Sequence, residues 1–192
     1  MTKKARDSKT IDKIKETILA HAIDIIKTEG FQRMTMRKIA AKNNMSATNL
    51  YNYFSNKDEI YINILIKGFK LLYDNLQKAH DSQKNPIERA KSFVKAYLTF
   101  GIENYNYYEI MFSAALPKYN DYIGTPLERL AAIEMDYSQK IIDLSVSTIV
   151  EVLGKKNAID PAETERRMIE IWCMLHGMIS LYNSRMIDYV IK

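Results

Sequence analysis

The stretch from Thr35 to Lys57, TMRKIAAKNNMSATNLYNYFSNK, decides the fold. It predicts two short helices joined by a tight turn, followed by the start of a third helix. Thr35 and Ser46 can cap the first two helices, because a hydroxyl oxygen accepts a hydrogen bond from a free amide at a helix start. Asn43 and Asn44 lie between them and tolerate a turn conformation.

The second short helix has an apolar face and a polar face. Leu50, Tyr53 and Phe54 recur at steps of three and four residues, which is the spacing of one helix face. The other side carries Ala47, Thr48, Asn49, Tyr51 and Asn52. A short polar surface of this size suits the reading of a DNA groove. A pair of purely structural helices is the alternative.

Three cations lie where an isolated helix disfavours them. Arg37 and Lys38 fall in the first turn after Thr35, and Lys57 falls in the first turn after Ser55. The positive end of the helix dipole repels cations there, so we expect an external anion to meet these helix starts. Free amides, hydroxyl caps and added cations together form a good site for phosphate oxygens.

These residues belong to a longer pattern, ETILAHAIDIIKTEGFQRMTMRKIAAKNNMSATNLYNYFSNKDEIYINIL, which resembles the DNA-binding domain of the TetR family of bacterial transcriptional regulators. The matching positions are Ala22, Gly30, Phe31, Thr35, Ile39, Ala40, Ser46, Leu50, Tyr51, Tyr53, Phe54, Ser55 and Lys57. Two positions depart from the family pattern. Asn44 stands where the family usually has Gly, and Asn can replace it because it tolerates a left-handed conformation. Thr48 often corresponds to a Gly, which affects the local base contacts rather than the fold.

The resemblance implies a homodimeric transcription regulator, most often a repressor, that is released from a roughly palindromic operator by a small molecule. Its two copies would place their second short helices in successive major grooves, about 34 to 36 Å apart. Carried over by position, the candidates for base edges are Arg37, Ala47, Thr48, Asn49 and Asn52. The candidates for phosphates are Thr35, Tyr51, Tyr53 and Lys57, although Tyr53 is also a core candidate.

Composition favours helix almost throughout, since the chain has only 6 Gly and 4 Pro in 192 residues. We expect an all-α fold with an N-terminal three-helix, helix-turn-helix domain over residues 1–56. A helical bundle over residues 57–192 would bind the ligand and dimerise. Residues 1–60 hold 12 Lys and Arg against 7 Asp and Glu, whereas residues 61–192 hold 16 of each. The basic excess therefore accompanies the proposed DNA-binding part, as a footprint for nucleic acid would.

The rest of the composition predicts a cytoplasmic protein that does not enter a membrane. Cys173 is the sole cysteine, which excludes an intrachain disulfide and fits a reducing compartment. The N-terminal residues lack an apolar signal region, and no apolar run is long enough to span a bilayer.

Capping signals mark several further helices. Gly30 can stop the first helix in a left-handed conformation. Ser55 and Asp58 have the spacing of a capping box that opens a long helix from Asp58 to about His80. Pro86, Pro126 and Pro161 each follow a capping residue and predict a first helical position, while Gly154 predicts the end of the helix from Pro126.

Two apolar stripes on the last two long helices predict a homodimer interface. Their members are Met135, Ile142, Val146, Ile149 and Leu153 on one helix, and Met168, Trp172, Leu175, Ile179 and Tyr182 on the other. The spacing suits a four-helix contact with a second copy. Absorption of both stripes into the core of one chain is the alternative.

Aromatic residues are concentrated between residues 97 and 122. Aromatic walls with a few polar tips suit an apolar or flat small molecule. The resemblance implies an effector pocket in the central bundle, for which Tyr97, Phe100, Phe112 and Trp172 are our candidates. Ordinary core packing is the alternative for each of them.

We find no motif for an enzyme, a cofactor or a metal. His21, His80 and His176 are scattered, with no pair at ligand spacing. No Gly-rich phosphate loop or nucleophilic serine motif occurs. The rival function is therefore a helical protein that binds or scavenges small molecules and carries a vestigial DNA-binding motif.

Overall fold

The computed structural model describes residues 7–112, 115–154 and 160–189. Within these ranges the chain forms eight α-helices and no strand, which confirms the all-α prediction. The helices are α1 Ser8–Glu29, α2 Met36–Lys42, α3 Ala47–Tyr51, α4 Lys57–Asp81, α5 Pro86–Glu103, α6 Tyr105–Phe112, α7 Glu128–Leu153 and α8 Pro161–Asn183. Short 3-10 helices cover Phe31–Arg33, Tyr119–Tyr122 and Met186–Tyr189.

Most predicted helix ends are confirmed. Gly30 follows α1 with φ of 86° and its N–H bonds the carbonyl of Ile26. Asn85 and Asp160 cap α5 and α8, each of which begins with a proline. Gly154 follows α7 with φ of 78°. The N–H at the first helical position has no partner within the helix, so proline fits there, and glycine adopts positive φ without steric cost. Both signals are local, so the sequence alone could predict these helix ends.

The predicted capping box at the start of α4 is wrong. Asn56, not Ser55, accepts the hydrogen bond from the N–H of Glu59, at 2.8 Å. The carboxylate of Glu59, not Asp58, turns back to accept from the N–H and hydroxyl of Ser55, both at 2.6 Å. The same capping chemistry is shifted by one residue, because Asn56 and Glu59 have the same spacing and also suit a helix start. The shift leaves Asp58 free for another contact.

Two other boundaries differ from the prediction. α7 begins at Glu128 rather than Pro126, although the Thr125 hydroxyl still accepts from the N–H of Leu127 at 3.2 Å. Asn104 separates α5 from α6, a break that the sequence pattern did not predict. Asn has a weak helix preference and carries no stop signal as strong as Gly or Pro, so this interruption is visible only in the structure.

The chain divides into two compact units, and α4 and α7 contribute residues to both. The first unit takes the described residues of 1–67 and of 113–132, and the second takes those of 68–112 and 133–192. The two packing units therefore divide within α4, after residue 67. The functional division that we predict between residues 56 and 57 stays a prediction.

The first unit has an apolar core beneath its short helices. Fully buried members include Ile18, Ala22, Met34, Ile39, Leu50, Ile60, Tyr61 and Ile64. They come from α1, α2, α3 and α4, apart from Met34, which lies between the first 3-10 helix and α2. α3 therefore cannot shift without disturbing the packing of the other three helices. This core fixes the side of α3 that faces outward.

The second unit contains a helix crossing that depends on a missing side chain. A Cβ on Gly101 of α5 would overlap Cδ1 of Ile179 on α8, so a larger residue there would force the Ile179 side chain to shift. The side-chain amide of Asn183 also donates to the carbonyl of Gly101 at 3.0 Å. The Ile179 and Asn183 side chains of α8 therefore lie directly against the backbone of α5 at this point.

Candidate nucleic-acid interface

The caps of the two short helices are present as predicted. The Thr35 hydroxyl accepts from the N–H of Lys38 at 3.3 Å, and the Ser46 hydroxyl accepts from the N–H of Asn49 at 3.1 Å. Asn44 has φ of 52°, the left-handed conformation that Asn tolerates in place of Gly. The departure from the family pattern at Asn44 thus leaves the turn intact.

The turn is also held by a residue that the sequence reading did not assign to it. Nδ1 of His21, on α1, lies 2.8 Å from Oδ1 of Asn43. The side-chain amide of Asn43 donates to the carbonyl of Ile39 at 2.7 Å. Since the amide nitrogen is the donor in that bond, Oδ1 is the acceptor and His21 donates through Nδ1. No local pattern links residues 21 and 43, because their proximity is a result of helix packing.

The outward face of α3 and its C-terminal end consists of residues predicted for base contact, together with Tyr51, which is predicted for phosphate contact. Thr48, Tyr51 and Asn52 are exposed, while Ala47 and Asn49 are partly exposed. Leu50 and Phe54 are buried on the opposite side. Tyr51 keeps 55% of its surface exposed, which is much for an aromatic ring that could have packed into the core. The division into two faces is the one that the three-and-four spacing predicts.

The cations near α2 do not all need an external anion. Lys38 pairs with Glu29 and Lys42 pairs with Asp24, so both tie α2 to α1. The hydrogen bond from Lys42 holds the pKa of Asp24 below its usual value. Arg37 is exposed and forms no ion pair with any residue in the described part of the chain. The expectation drawn from helix-dipole repulsion therefore applies to Arg37 and not to Lys38.

Lys57 lies against an aromatic ring rather than a carboxylate. Its Nζ is 4.5 Å from the centroid of the Phe31 ring. Phe31 in turn packs on Tyr61, with ring centroids 4.8 Å apart. A cation above a ring face keeps its charge and its hydrogen-bond donors, so it can still bind a phosphate. This contact gives the Gly30-Phe31 pair a role beyond ending α1, since Phe31 supports the cation at the start of α4.

Thr35 and Tyr53 differ in how accessible they are. Thr35 is exposed, although its hydroxyl already accepts the capping hydrogen bond. Tyr53 is buried, with its ring in the core of the first unit. The structure therefore makes Tyr53 a core residue, and a phosphate contact would be limited to its hydroxyl.

The four residues predicted for the effector come together in the second unit. Nε1 of Trp172 donates to the Tyr97 hydroxyl at 2.8 Å. The rings of Phe112 and Trp172 meet edge to face, with centroids 5.9 Å apart. Phe100 is fully buried, and the centroid of its ring lies 6.4 Å from the centroid of the Tyr108 ring. Trp172 thus contacts both Tyr97 and Phe112, and Phe100 joins this aromatic cluster through the Tyr108 ring.

Tyr108 and His176 join this cluster, although the sequence reading did not choose them. The Tyr108 hydroxyl lies 2.6 Å from Nδ1 of His176 and 3.5 Å from the Tyr97 hydroxyl. Burial raises the pKa of the Tyr108 hydroxyl well above its ordinary value, so it stays a neutral hydrogen-bond donor or acceptor at neutral pH. The cluster therefore has a polar centre inside an aromatic surround.

α7 and α8 expose many apolar side chains. Those at least 38% exposed include Ile133, Met135, Ile142, Val150, Val152 and Leu153 on α7, and Ile169, Trp172, Met174, Met178, Leu181 and Tyr182 on α8. The predicted stripe on α8 is divided, because Leu175 and Ile179 are buried within the chain. Much of the apolar surface of both helices thus lacks a partner among the described residues.

The described residues contain neither a candidate membrane-spanning helix nor a candidate metal site. Among the described residues, no helix combines the length and the apolar character that a bilayer crossing requires. No group of three or more His, Cys, Asp or Glu side chains is placed there to hold a metal ion.

Two known protein families match this chain, one in its N-terminal part and one in its C-terminal part. A family described as bacterial regulatory proteins, tetR family, matches residues 18–64. A second, described as a tetracyclin repressor-like C-terminal domain, matches residues 90–187. An uncharacterised HTH-type transcriptional regulator of Bacillus subtilis, YobS, is 29% identical over 104 residues, which are 54% of this chain and 52% of that protein. The chain spans about half the length of the curated relatives it matches.

Solved structures share the fold at low sequence identity. The fatty acid degradation regulator FadR from Bacillus halodurans superposes with a TM-score of 0.70 at 15% identity, covering 95% of this chain and 88% of that one. AibR, in a complex with isovaleryl coenzyme A and operator DNA, superposes with a TM-score of 0.67 at 18% identity, covering 87% and 86%. At such identities the likeness concerns the fold alone.

Proposed function

Because the chain belongs to the TetR family of bacterial regulatory proteins, we propose that it is a sequence-specific, DNA-binding transcription regulator. The observation that carries the proposal is the outward polar face of α3, together with Arg37, which forms no ion pair within the described residues, and with Lys57, which lies over the Phe31 ring. α3 enters the major groove and the starts of α2 and α4 meet the flanking phosphates. In this proposal the predicted DNA-binding residues, apart from the core residue Tyr53, share one surface.

The roles within this surface follow from side-chain chemistry. Arg37 has the planar fork that pairs with the O6 and N7 atoms of guanine. Asn49 or Asn52 can pair in the same bidentate way with adenine, and the Thr48 methyl suits the methyl group of thymine. Tyr51 and Lys57 bind phosphate oxygens and so set the register of the helix without reading sequence.

A second copy covers the apolar surfaces of α7 and α8. Their exposed Ile, Leu, Met and Trp side chains occur along both helices, and extensive exposed apolar surface typically marks an interface. A twofold pairing of these helices presents two copies of α3 to a palindromic operator. Dimerisation is therefore part of the DNA-binding mechanism.

A small apolar or aromatic effector releases the protein, a repressor, from DNA. Support comes from the aromatic cluster and its polar centre of Tyr97, Tyr108 and His176. AibR, which has the same fold, is known in complex with isovaleryl coenzyme A and operator DNA. An effector acts only through a difference in its affinity for the DNA-competent and released states. The bound effector favours the released state.

The proposal is tested with the purified protein and the DNA upstream of its own gene. Fluorescence anisotropy should show tight binding that weakens steeply as salt rises from 50 to 200 mM, because each phosphate contact releases counterions. A panel of apolar acids, aromatic compounds and acyl-coenzyme A thioesters is then added to the complex. Absence of salt-sensitive binding, together with binding of a compound from the panel, would favour the scavenging protein instead.

A further inference from the structure

A segment far from the helix-turn-helix in sequence packs as part of the same unit. Residues 115–132 group with the first unit, more than 50 residues after α3. Its described part begins at Ala115, contains the 3-10 helix Tyr119–Tyr122, and runs into the first residues of α7. We call residues 115–125 the strap.

Two buried tyrosine hydroxyls join the strap to α4. The Tyr61 hydroxyl, on α4, donates to the carbonyl of Pro117 at 3.0 Å. The Tyr122 hydroxyl, on the strap, donates to Oδ1 of Asp58 at 3.3 Å. Tyr61 is fully buried and Tyr122 is 7% exposed. Each hydroxyl thus reaches its partner from a ring that is held in the core, so the two attachment points are fixed in direction.

The strap is braced by its own hydrogen bonds. The N–H of Lys118 donates to the carboxylate of Asp121 at 2.7 Å. The Thr125 hydroxyl donates to the carbonyl of Tyr122 at 2.7 Å, and the N–H of Gly124 donates to the carboxylate of Glu128 at 2.9 Å. Because these hydrogen bonds fix the conformation of the strap, the strap resists displacement of the first turn of α4.

Asp58 is available for this contact because the caps of α4 use other residues. Asn56 and Glu59 satisfy the helix start, and Asp58 directly follows Lys57 in the chain. Burial, followed by the negative charge of Asp58, raises the pKa of the Tyr122 hydroxyl, which therefore remains a protonated donor at neutral pH. The strap is anchored one residue from the cation that we assign to phosphate.

We propose that Tyr122 is a positioning residue for DNA binding. Its hydrogen bond to Asp58 holds the first turn of α4, and with it Lys57, in the orientation that meets the DNA backbone. This inference rests on the proposed function and adds a residue outside the helix-turn-helix to its DNA-binding apparatus. Tyr122 does not contact DNA and acts through Asp58.

The test compares Tyr122→Phe with Tyr119→Phe in the full chain. Each variant loses one hydroxyl from the same 3-10 helix, but the Tyr119 hydroxyl has no hydrogen-bond partner among the described residues. Loss of a hydrogen bond to a charged group should weaken operator binding by Tyr122→Phe about tenfold, with a shallower dependence on salt. Tyr119→Phe should bind as the wild type does.

A double-mutant cycle separates positioning from general destabilisation. Asp58→Ala removes the acceptor without changing the buried tyrosine, and Asp58→Ala with Tyr122→Phe should bind no more weakly than the weaker single variant. Additive losses, or wild-type affinity in Tyr122→Phe, would overturn the proposal. If Tyr122→Phe does not fold, Asp58→Ala alone tests the positioning role. An Asp58→Ala variant that binds the operator with wild-type affinity and salt dependence would also overturn the proposal.

Hydrogen exchange without DNA makes the test independent of the proposed function. Amides of residues 57–61 should exchange faster in Tyr122→Phe than in Tyr119→Phe, while the amides of α5 and α8 keep their protection. If the wild type itself binds no DNA, the proposed function fails whatever the exchange data show. If the wild type binds DNA and residues 57–61 exchange equally in the two variants, only the positioning role fails.

Discussion

Nδ1 of His21 donates a hydrogen bond to Oδ1 of Asn43 across 2.8 Å, joining α1 to the turn between α2 and α3. Asn43 uses its amide nitrogen for the carbonyl of Ile39, so both polar ends of its side chain are occupied. The turn that orients α3 is thereby connected to a helix that we do not expect to read DNA.

Replacement of His21 should loosen the turn. His21→Ala removes one partly buried hydrogen bond, so we expect a loss of about 1 kcal/mol in the free energy of unfolding, measured by urea denaturation. Asn43→Ala should cost more, because it also loses the bond to Ile39. If His21→Ala is as stable as the wild type and binds the same DNA equally well, the hydrogen bond does not hold the turn.

Lys57→Ala should weaken binding to every DNA sequence by a similar factor. The loss of one phosphate contact should reduce the slope of log K against log salt by about 1. Lys78→Ala is the matched control, since Lys78 lies in the last turn of the same helix. An unchanged salt slope in Lys57→Ala would show that Lys57 does not bind phosphate.

Asn49→Ala should change which sequences are bound rather than how salt affects binding. Loss of a bidentate pair with adenine should cost about 1 to 3 kcal/mol at one base position and little at the others. Competition between operators that differ at single base pairs measures this. A uniform loss at all positions would assign Asn49 to the backbone or to the fold of α3.

The dimer interface can be tested with a charge on α8. Leu181→Glu should give a monomer by light scattering, because a carboxylate would be buried without a partner. Ile87→Glu is the control, since Ile87 is a comparably exposed apolar residue on α5. A dimer that persists in Leu181→Glu would place the interface elsewhere.

The stability of the protein should fall in alkali partly through Tyr108. Its folded-state pKa lies above the ordinary value of 10.0, so the unfolded chain releases this proton first. The contribution is therefore intact below pH 10 and is lost as the pH rises above it. Urea denaturation at pH 8 and pH 10.5 should show a smaller fall in the free energy of unfolding for Tyr108→Phe than for the wild type, and an equal fall would contradict this role of Tyr108.

The sequence predicted the parts of this fold that depend on local chemistry. Thr35, Ser46, Asn85 and Asp160 cap helices because a side chain and an amide a few residues away suffice for a cap. The break at Asn104 and the later start of α7 could not be predicted, since neither has a strong local signal. At the start of α4 two neighbouring capping patterns competed, and only packing decides which of them forms.

The candidate site shows the same division. The polar face of α3 follows from periodicity alone, as does the burial of Leu50 and Phe54. The pairing of Lys38 with Glu29 and the contact of Lys57 with Phe31 depend on how helices pack, which one sequence does not reveal. His21, His176 and Tyr122 were missed for this reason, because their partners lie 22, 68 and 64 residues away.

Recognition of DNA by α3 is tested most directly by selecting bound sites from a pool of random duplexes with the purified protein. Two α3 helices on one dimer should enrich a palindrome whose half-sites are centred about 10 base pairs apart, or a multiple of that spacing. Arg37→Ala and Asn49→Ala should each relax the selected sequence at one symmetric pair of positions. Enrichment of no sequence, or of one that both variants select unchanged, would contradict DNA recognition by this surface.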